Sequence, residues 1–162
     1  MGTERTLVLV KPDGLKRRLA GEIISRFERK GLRLIALKEM RLTQSMAEKH
    51  YSVHKDKPFY RDLVQYIISA PILAMILEGN NAISVVRGMC GATDGSKAAL
   101  GTIRGDFALS IQNNIVHASD SLESYHHEAP IFFAENTHNR LSESLFFLFH
   151  VITFKLAAHL RS

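Results

Sequence analysis

Asn114-Ile115-Val116-His117-Ala118-Ser119-Asp120-Ser121 is the stretch of this 162-residue chain best suited to chemistry. Ile115 and Val116 deliver His117 to the end of a predicted strand. Ser119 and Asp120 then open a predicted helix, with Glu123 three residues past Asp120 in capping-box position. An imidazole at such a junction is held by a rigid element on one side, while the unpaired N–H groups of the helix start favour an anion nearby. That arrangement suits a nucleophile, and it equally describes a histidine that merely sits beside a cap. Of the eight histidines, only His117 has a strand behind it, a cap ahead of it, and Asn114, Ser119, Asp120 and Glu128 within reach in sequence. A carboxylate, either Glu128 about two helical turns on or Asp120, would fix the tautomer and orientation of the ring; spacing does not choose between them.

A nucleophile of this kind needs cations for a phosphate. Candidates are Lys11 at the end of the first predicted strand, Arg87 on a predicted helix, and Arg104 in Gly101-Thr102-Ile103-Arg104-Gly105-Asp106, where flanking glycines allow close approach to a ligand. Singly, each is more often a solvated surface charge. Two familiar phosphate cradles are missing: the nearest string to a P-loop, Gly91-Ala92-Thr93-Asp94-Gly95-Ser96-Lys97, has the wrong spacing, and no Gly-x-Gly-x-x-Gly occurs. His50 and His54, four apart on a predicted helix, would suit a metal pair. No Glu, Cys or third His stands beside them in a recognised ligand pattern, so a solvated helix face is the better reading.

The elements that must position these residues follow from the apolar pattern. Thr6 to Val10 is a β-rich run that stops at the polar turn Lys11-Pro12-Asp13-Gly14. Ile23, Ile24 and Phe27 share one helical face between Gly21 and Gly31, and Leu32 to Leu42 forms a second strand. Ser45 and Glu48 read as a capping box for a short helix carrying Lys49, His50 and Tyr51, and Pro58 suits the first turn of another that runs to about Ser69. Ile72 to Leu77 is a continuous apolar run that reads as a strand buried on both faces, followed by a turn at Gly79-Asn80-Asn81 and a helix from Ala82 to about Cys90. A loop from Gly91 to Asp106 leads to a fourth strand at Phe107 to Ile111. The order β-α-β-α-α-β-α-β-α is α+β. Without its extra helical hairpin it is the βαββαβ pattern of a ferredoxin-like sandwich, a four-stranded antiparallel sheet with helices on one face.

Composition sets the outer bounds. At 46% hydrophobic and 23% charged residues the composition is that of an ordinary globular protein and argues against disorder. A net charge of +5 and a pI of 9.5 favour polyanionic partners, and the scattered basic residues point to a phosphate-bearing small ligand as readily as to nucleic acid. Cys90 is the only cysteine, so no intrachain disulfide forms and a reducing, cytoplasmic location is the default expectation. Residues 1–140 read as one domain and residues 141–162 as an atypical apolar tail. Its run from Leu145 to Phe154 is broken by His150 and is shorter than the ~20 residues a membrane span requires, so a buried or interface helix is expected and no membrane partner.

Five segments, in order and at matching spacing over about residues 4 to 133, resemble the signature segments of nucleoside diphosphate kinases: Lys11-Pro12-Asp13-Gly14, Gly21-Glu22-Ile23-Ile24-Ser25-Arg26-Phe27-Glu28, His50-Tyr51, Gly101 through Phe107, and Asn114 through Ser121. The resemblance implies a ping-pong phosphotransferase. A nucleoside triphosphate, ATP among others, gives its γ-phosphoryl group to a histidine, here His117, which passes it to a different nucleoside diphosphate. It also implies roles for other residues. Lys11 would hold the transferring phosphate and the ribose region, Arg87, Thr93 and Arg104 the distal phosphates, and Asn114 the sugar. Tyr51 would stand beside the reacting group and Phe59 would stack on the base, with Ser119 and Glu128 supporting His117. Mg2+ would arrive on the nucleotide phosphates, which agrees with the lack of a carboxylate cluster suited to a dedicated magnesium cage. Stacking on one aromatic face reads no base edge, so broad base tolerance is expected. A homo-oligomer, tetramer or hexamer, is implied, and nucleic-acid binding or regulation on the same scaffold is the alternative from another class. The chain departs from the family in two places: Gly95 and Leu100 stand in a loop that usually carries prolines and makes a subunit contact, and the apolar tail replaces a short end with Trp or Tyr.

Overall fold

The computed structural model describes residues 2–133. The predicted tail helix and His138, His150 and His159 lie outside the described residues. The elements are β1 (Thr3–Val10), α1 (Pro12–Lys16), α2 (Ala20–Arg29), β2 (Arg33–Met40), α3 (Gln44–His50), α4 (Tyr60–Ile68), β3 (Ile72–Asn80), α5 (Ala82–Cys90), α6 (Ile103–Phe107), β4 (Val116–Ala118) and α7 (Leu122–Phe132). Short 3-10 turns occupy Ser52–His54 and Gly95–Lys97. The sheet is antiparallel throughout, in the order β2-β3-β1-β4, with the helical hairpin α3–α4 inserted between β2 and β3. This is the ferredoxin-like arrangement that the sequence pattern predicts.

The apolar run of β1 is what centres the sheet. Val8 and Val10 pack with Ile23 and Phe27 of α2 and with Ala82, Val86 and Cys90 of α5. Leu7 and Leu9 point to the other face and are just as fully buried, with α7 packed on β1. Both faces of β1 are therefore covered, where the βαββαβ pattern suggested helices on one face only; a continuous apolar run without alternation carries that information. Helix α2 presents Ile23 and Phe27 one turn apart and is laced outside by an Arg26 Nε–Glu22 Oε1 bond of 2.8 Å. It ends where Gly31, at φ +91°, donates to Glu28 O while Leu32 N–H donates to Phe27 O, the paired bonds of a Schellman stop.

Several local readings change. Phe107 to Ile111 is not a strand: Phe107 closes α6 with its ring under the Arg26 guanidinium at 4.7 Å, and Leu109 and Ile111 are 90% and 62% exposed. The free edge of β1 is taken by Val116–Ala118 instead, with His117 opposite Leu9 in the middle of β4 rather than at a strand end. Bonds from Lys11 N to Ile115 O and from Ser119 N to Leu7 O flank that short ladder and hold its register. Lys11-Pro12-Asp13-Gly14 is the first turn of α1, not a loop, because Pro12 at N1 is preset for a helix. The true caps lie elsewhere than expected. Thr43 Oγ1 accepts from Met46 N at the start of α3, in place of Ser45, and Ser121 Oγ accepts from Ser124 N at the start of α7, in place of Asp120.

Candidate functional site

Lys11 at the end of β1, the hairpin α3–α4, the end of α5, α6, β4 and α7 surround a cleft of about 900 Å³. Nine of the ten residues singled out from the sequence line it: Lys11, Tyr51, Phe59, Arg87, Thr93, Arg104, Asn114, His117 and Glu128. Ser119 stands behind Glu128 and reaches the cleft only through that carboxylate.

One wall is cationic. Lys11 leaves β1 with a buried side chain whose Nζ donates to Gln112 O at 2.7 Å and to Asn114 Oδ1 at 2.9 Å, and lies 4.9 Å over the Tyr66 ring. Burial pulls its pKa down to about 8, with Arg104 lowering it further and Asp13 working the other way. Asn114 Nδ2 donates to Thr93 O at 2.9 Å, which ties the Gly91–Ser96 loop to the same network. Arg104 is buried, not solvated; Nε, Nη1 and Nη2 donate to Asn114 O, Gly91 O and Val116 O, so three of the five N–H groups of a guanidinium are engaged. Arg87 extends from α5 and donates to Ala118 O at 3.4 Å. Charges that are weak candidates singly thus converge within one cavity.

The facing wall holds the nucleophile candidate. His117 Nε2 and Glu128 Oε1 are 2.9 Å apart, and Ser119 Oγ donates to Glu128 Oε2 at 2.5 Å. Burial by itself would raise the Glu128 pKa, but the bonds from His117 and Ser119 outweigh it and hold the group at about 2. An ionised carboxylate only accepts, so Nε2 donates to it and, in the neutral ring, Nδ1 keeps the lone pair. The choice that spacing left open falls to Glu128; Asp120 accepts instead from Ser124 Oγ in the first turn of α7.

Beside this pair lies His50, which the sequence placed on a solvated face and which the structure buries. Its ring stands nearly perpendicular to that of His117 at 4.7 Å and packs on Tyr51 at 4.6 Å and Phe132 at 5.3 Å. Neither ring nitrogen has a hydrogen-bond partner. Burial first, and then the neighbouring His117, bring its pKa down to about 3, so it is neutral under ordinary conditions. Phe59 lines the cleft and is 49% exposed, with the His54 ring 6.0 Å from it. His54, Leu63 and Gln112 also line the cleft and were not picked out from the sequence; the i, i+4 spacing of His50 and His54 was the available signal, and it was assigned to solvent.

The family model for nucleoside diphosphate kinase matches residues 4–138. The chain belongs to the nucleoside diphosphate kinase family. Among curated relatives, the nucleoside diphosphate kinase of Picrophilus torridus is 69% identical over 133 residues, 82% of this chain and 96% of the relative. That of Thermoplasma volcanium is 64% identical over 133 residues, 82% and 90% of the two chains. Among solved structures, a halophilic nucleoside diphosphate kinase from Halobacterium salinarum in complex with CDP superposes with a TM-score of 0.81 at 44% identity, covering 83% of this chain and 90% of that one. A nucleoside diphosphate kinase family protein from Babesia bovis gives 0.79 at 48% identity, covering 81% and 88%. As a family member the chain is a nucleotide phosphotransferase, and nucleoside diphosphate kinases transfer phosphate by a ping-pong route through a phosphohistidine and need a divalent metal. No described helix is long and apolar enough to cross a membrane.

Proposed function

We propose that His117 is the phosphate carrier of this nucleoside diphosphate kinase. The observation that carries the reading is the His117 Nε2–Glu128 bond, which leaves Nδ1 as the unprotonated nitrogen beside a cleft lined by Lys11, Arg87 and Arg104. Phosphoryl transfer requires positioning and charge neutralisation more than acid–base work, and this cleft offers both. The lone pair of Nδ1 attacks the γ-phosphorus and the bond to the β,γ-bridging oxygen breaks, so the nucleoside diphosphate leaves with that electron pair. A second diphosphate reverses the step. Lys11 neutralises the transferring group, Arg87, Thr93 and Arg104 take the distal phosphates, Asn114 takes the sugar and Phe59 the base. Tyr51 packs beside the reacting group; burial raises its pKa, so it remains a neutral phenol.

Mg2+ enters on the phosphates of the nucleotide. Among the described residues, His50, His117 and Glu128 form the one cluster whose ligand atoms come together, and two imidazoles with one carboxylate do not suit an ion that demands octahedral oxygen. With radiolabelled ATP and Mg2+, the wild-type chain is expected to take up γ-phosphate as an acid-labile, alkali-stable adduct. His117→Ala should take up none, and a normal adduct in that variant would overturn the assignment. Self-association is part of the same reading: Leu100 and Leu109, 87% and 90% exposed, support a tetramer or hexamer, which sedimentation would count. The single buried thiol supports a cytoplasmic setting. The net charge of +5 supports nucleic-acid binding as a secondary role, recognisable by steep weakening with salt.

A further inference from the structure

Three non-glycine residues have positive φ among those described, and only one of them is β-branched: Ile115, at +69°. A β-branched side chain in that region is a true outlier, and strain of this kind persists only where the surroundings over-determine it. Val116 N–H donates to Asn114 O at 2.7 Å, so residues 114–116 close a three-residue γ-turn of the rarer, strained hand. The turn lies between Asn114, whose carboxamide meets Lys11, and His117, whose ring meets Glu128.

The restraints on it come largely from Asp13 of α1 and Tyr66 of α4, two residues to which the reading above gives no part in the reaction. Ile115 N–H donates to Asp13 Oδ2 at 3.1 Å, and Lys11 N–H donates to Ile115 O at 2.8 Å. The other Asp13 oxygen accepts from the Tyr66 hydroxyl at 2.6 Å, and Asp13 N–H returns a bond to Tyr66 Oη at 3.3 Å. The Ile115 side chain is fully buried against Gly14, where a Cβ would stand 3.0 Å from both Ile115 Cγ2 and Ile115 O. The Tyr66 ring also lies beneath the Lys11 ammonium at 4.9 Å. One phenol therefore touches both the clamp on the turn and the cation that faces the cleft.

We propose that Asp13 and Tyr66 are positioning residues for phosphoryl transfer: their carboxylate–phenol pair holds Ile115 in its left-handed turn and so sets Lys11 and Asn114 at their working distance from His117. The inference rests on the reading of His117 as phosphate carrier. If the turn relaxes toward ordinary backbone angles, Asn114 and the start of β4 must rotate against each other, and misplacement of about 1 Å at a reacting centre is enough to cost on the order of a hundredfold in rate.

The test is single-turnover phosphorylation of the full chain by ATP and Mg2+, with the phosphoenzyme stoichiometry giving the number of competent sites. Tyr66→Phe removes only the hydroxyl and keeps the ring under Lys11, whereas Asp13→Asn weakens both arms of the clamp. The rate constant per competent site should fall about tenfold in Asp13→Asn and less in Tyr66→Phe, at wild-type stoichiometry. In an Ile115→Gly background, where positive φ carries no steric penalty, the Asp13→Asn loss should shrink at least threefold, to about threefold or less. A pair that served only stability would lower stoichiometry or the melting temperature and leave the rate per site at the wild-type value, and that result, or an undiminished loss in the Ile115→Gly background, overturns the inference alone. A wild-type chain that takes up no phosphate overturns the reading of His117 and the inference with it.

Discussion

The two walls of the cleft bury charge in opposite ways. On the cationic wall, Lys11 and Arg104 give their protons mainly to backbone carbonyls, Gln112 O, Gly91 O, Asn114 O and Val116 O, which are neutral acceptors and leave the positive charge uncancelled. On the imidazole wall, Glu128 is matched by His117 and Ser119 and its charge is spent locally. A phosphate arriving between them meets unneutralised cations on one side and, on the other, a ring whose proton is already committed to Nε2. The difference is a division of labour: carbonyl-held cations keep their field for a ligand, while a carboxylate-held imidazole has its lone pair aimed and its tautomer set.

Breaking the imidazole wall should have the larger effect. Glu128→Ala frees the tautomer of His117 and leaves Ser119 without its acceptor, and the phosphorylation rate is expected to fall about 10- to 100-fold with nucleotide affinity little changed, the range seen when a carboxylate that orients a metal-bound imidazole is removed. Single-turnover phosphorylation paired with equilibrium nucleotide binding checks this. Equal losses in rate and affinity would show that the two walls do not divide their work.

The cationic wall is best probed by pH. The Lys11 pKa lies at about 8, below its ordinary 10.5, so the charge proposed to meet the phosphate is lost above about pH 8 and nucleotide binding should weaken on that limb. Stability should move the other way. Between about pH 8 and 10.5 the unfolded lysine holds a proton that the folded one does not, so this group makes folding more favourable as pH rises through that window. Lys11→Met should remove both trends, measured by nucleotide titration and by denaturant unfolding across the range.

The acid side separates the two residents of the imidazole wall. Glu128, depressed from 4.5 to about 2, contributes stability that is present above its unfolded pKa and is lost as pH falls through about 2. His50, depressed from 6.5 to about 3, stays neutral when folded while the unfolded ring takes a proton, so stability falls as pH drops from about 6.5 to 3. Replacing the ring by His50→Phe should flatten the loss between pH 6.5 and 4.5 and leave the Glu128 limb in place, as read from urea midpoints. The smallest effect is expected at the mouth: Phe59→Ala removes a half-exposed stacking face worth about 1–3 kcal/mol and should raise the KM for nucleotides without changing the phosphorylation rate at saturation.

Much of this site was legible in the residues because the relevant signals are local. The strand at Thr6–Val10, the helix from Ala82 to Cys90 that carries Arg87, and the ordered motifs that hold Lys11, Arg104, Asn114 and His117 all follow from short-range pattern. Phe107 to Ile111 was misread because an apolar, β-prone string says nothing about which segment wins the free edge of β1. Two flanking backbone bonds award it to Val116–Ala118, within the short segment expected to carry His117 to a strand end, and so make that segment the fourth strand. His50 was misread for a similar reason, since one helix turn with histidines four apart looks the same whether its face meets water or another helix.

The sequence by itself determined the chemistry on offer: an imidazole suited to act as a nucleophile, dispersed cations without a P-loop, and the element order of an antiparallel sandwich. These depend on residue type and on neighbours within a turn or two. Only the tertiary structure decided how that chemistry is held. It selected Glu128 over Asp120, turned three scattered cations into one wall, buried His50 beside His117, and bent the chain at Ile115 under a clamp from Asp13 and Tyr66. Each of these joins residues brought together by packing across separate elements, and burial, which sets the charge state of Lys11, His50 and Glu128, is a property of the assembled fold.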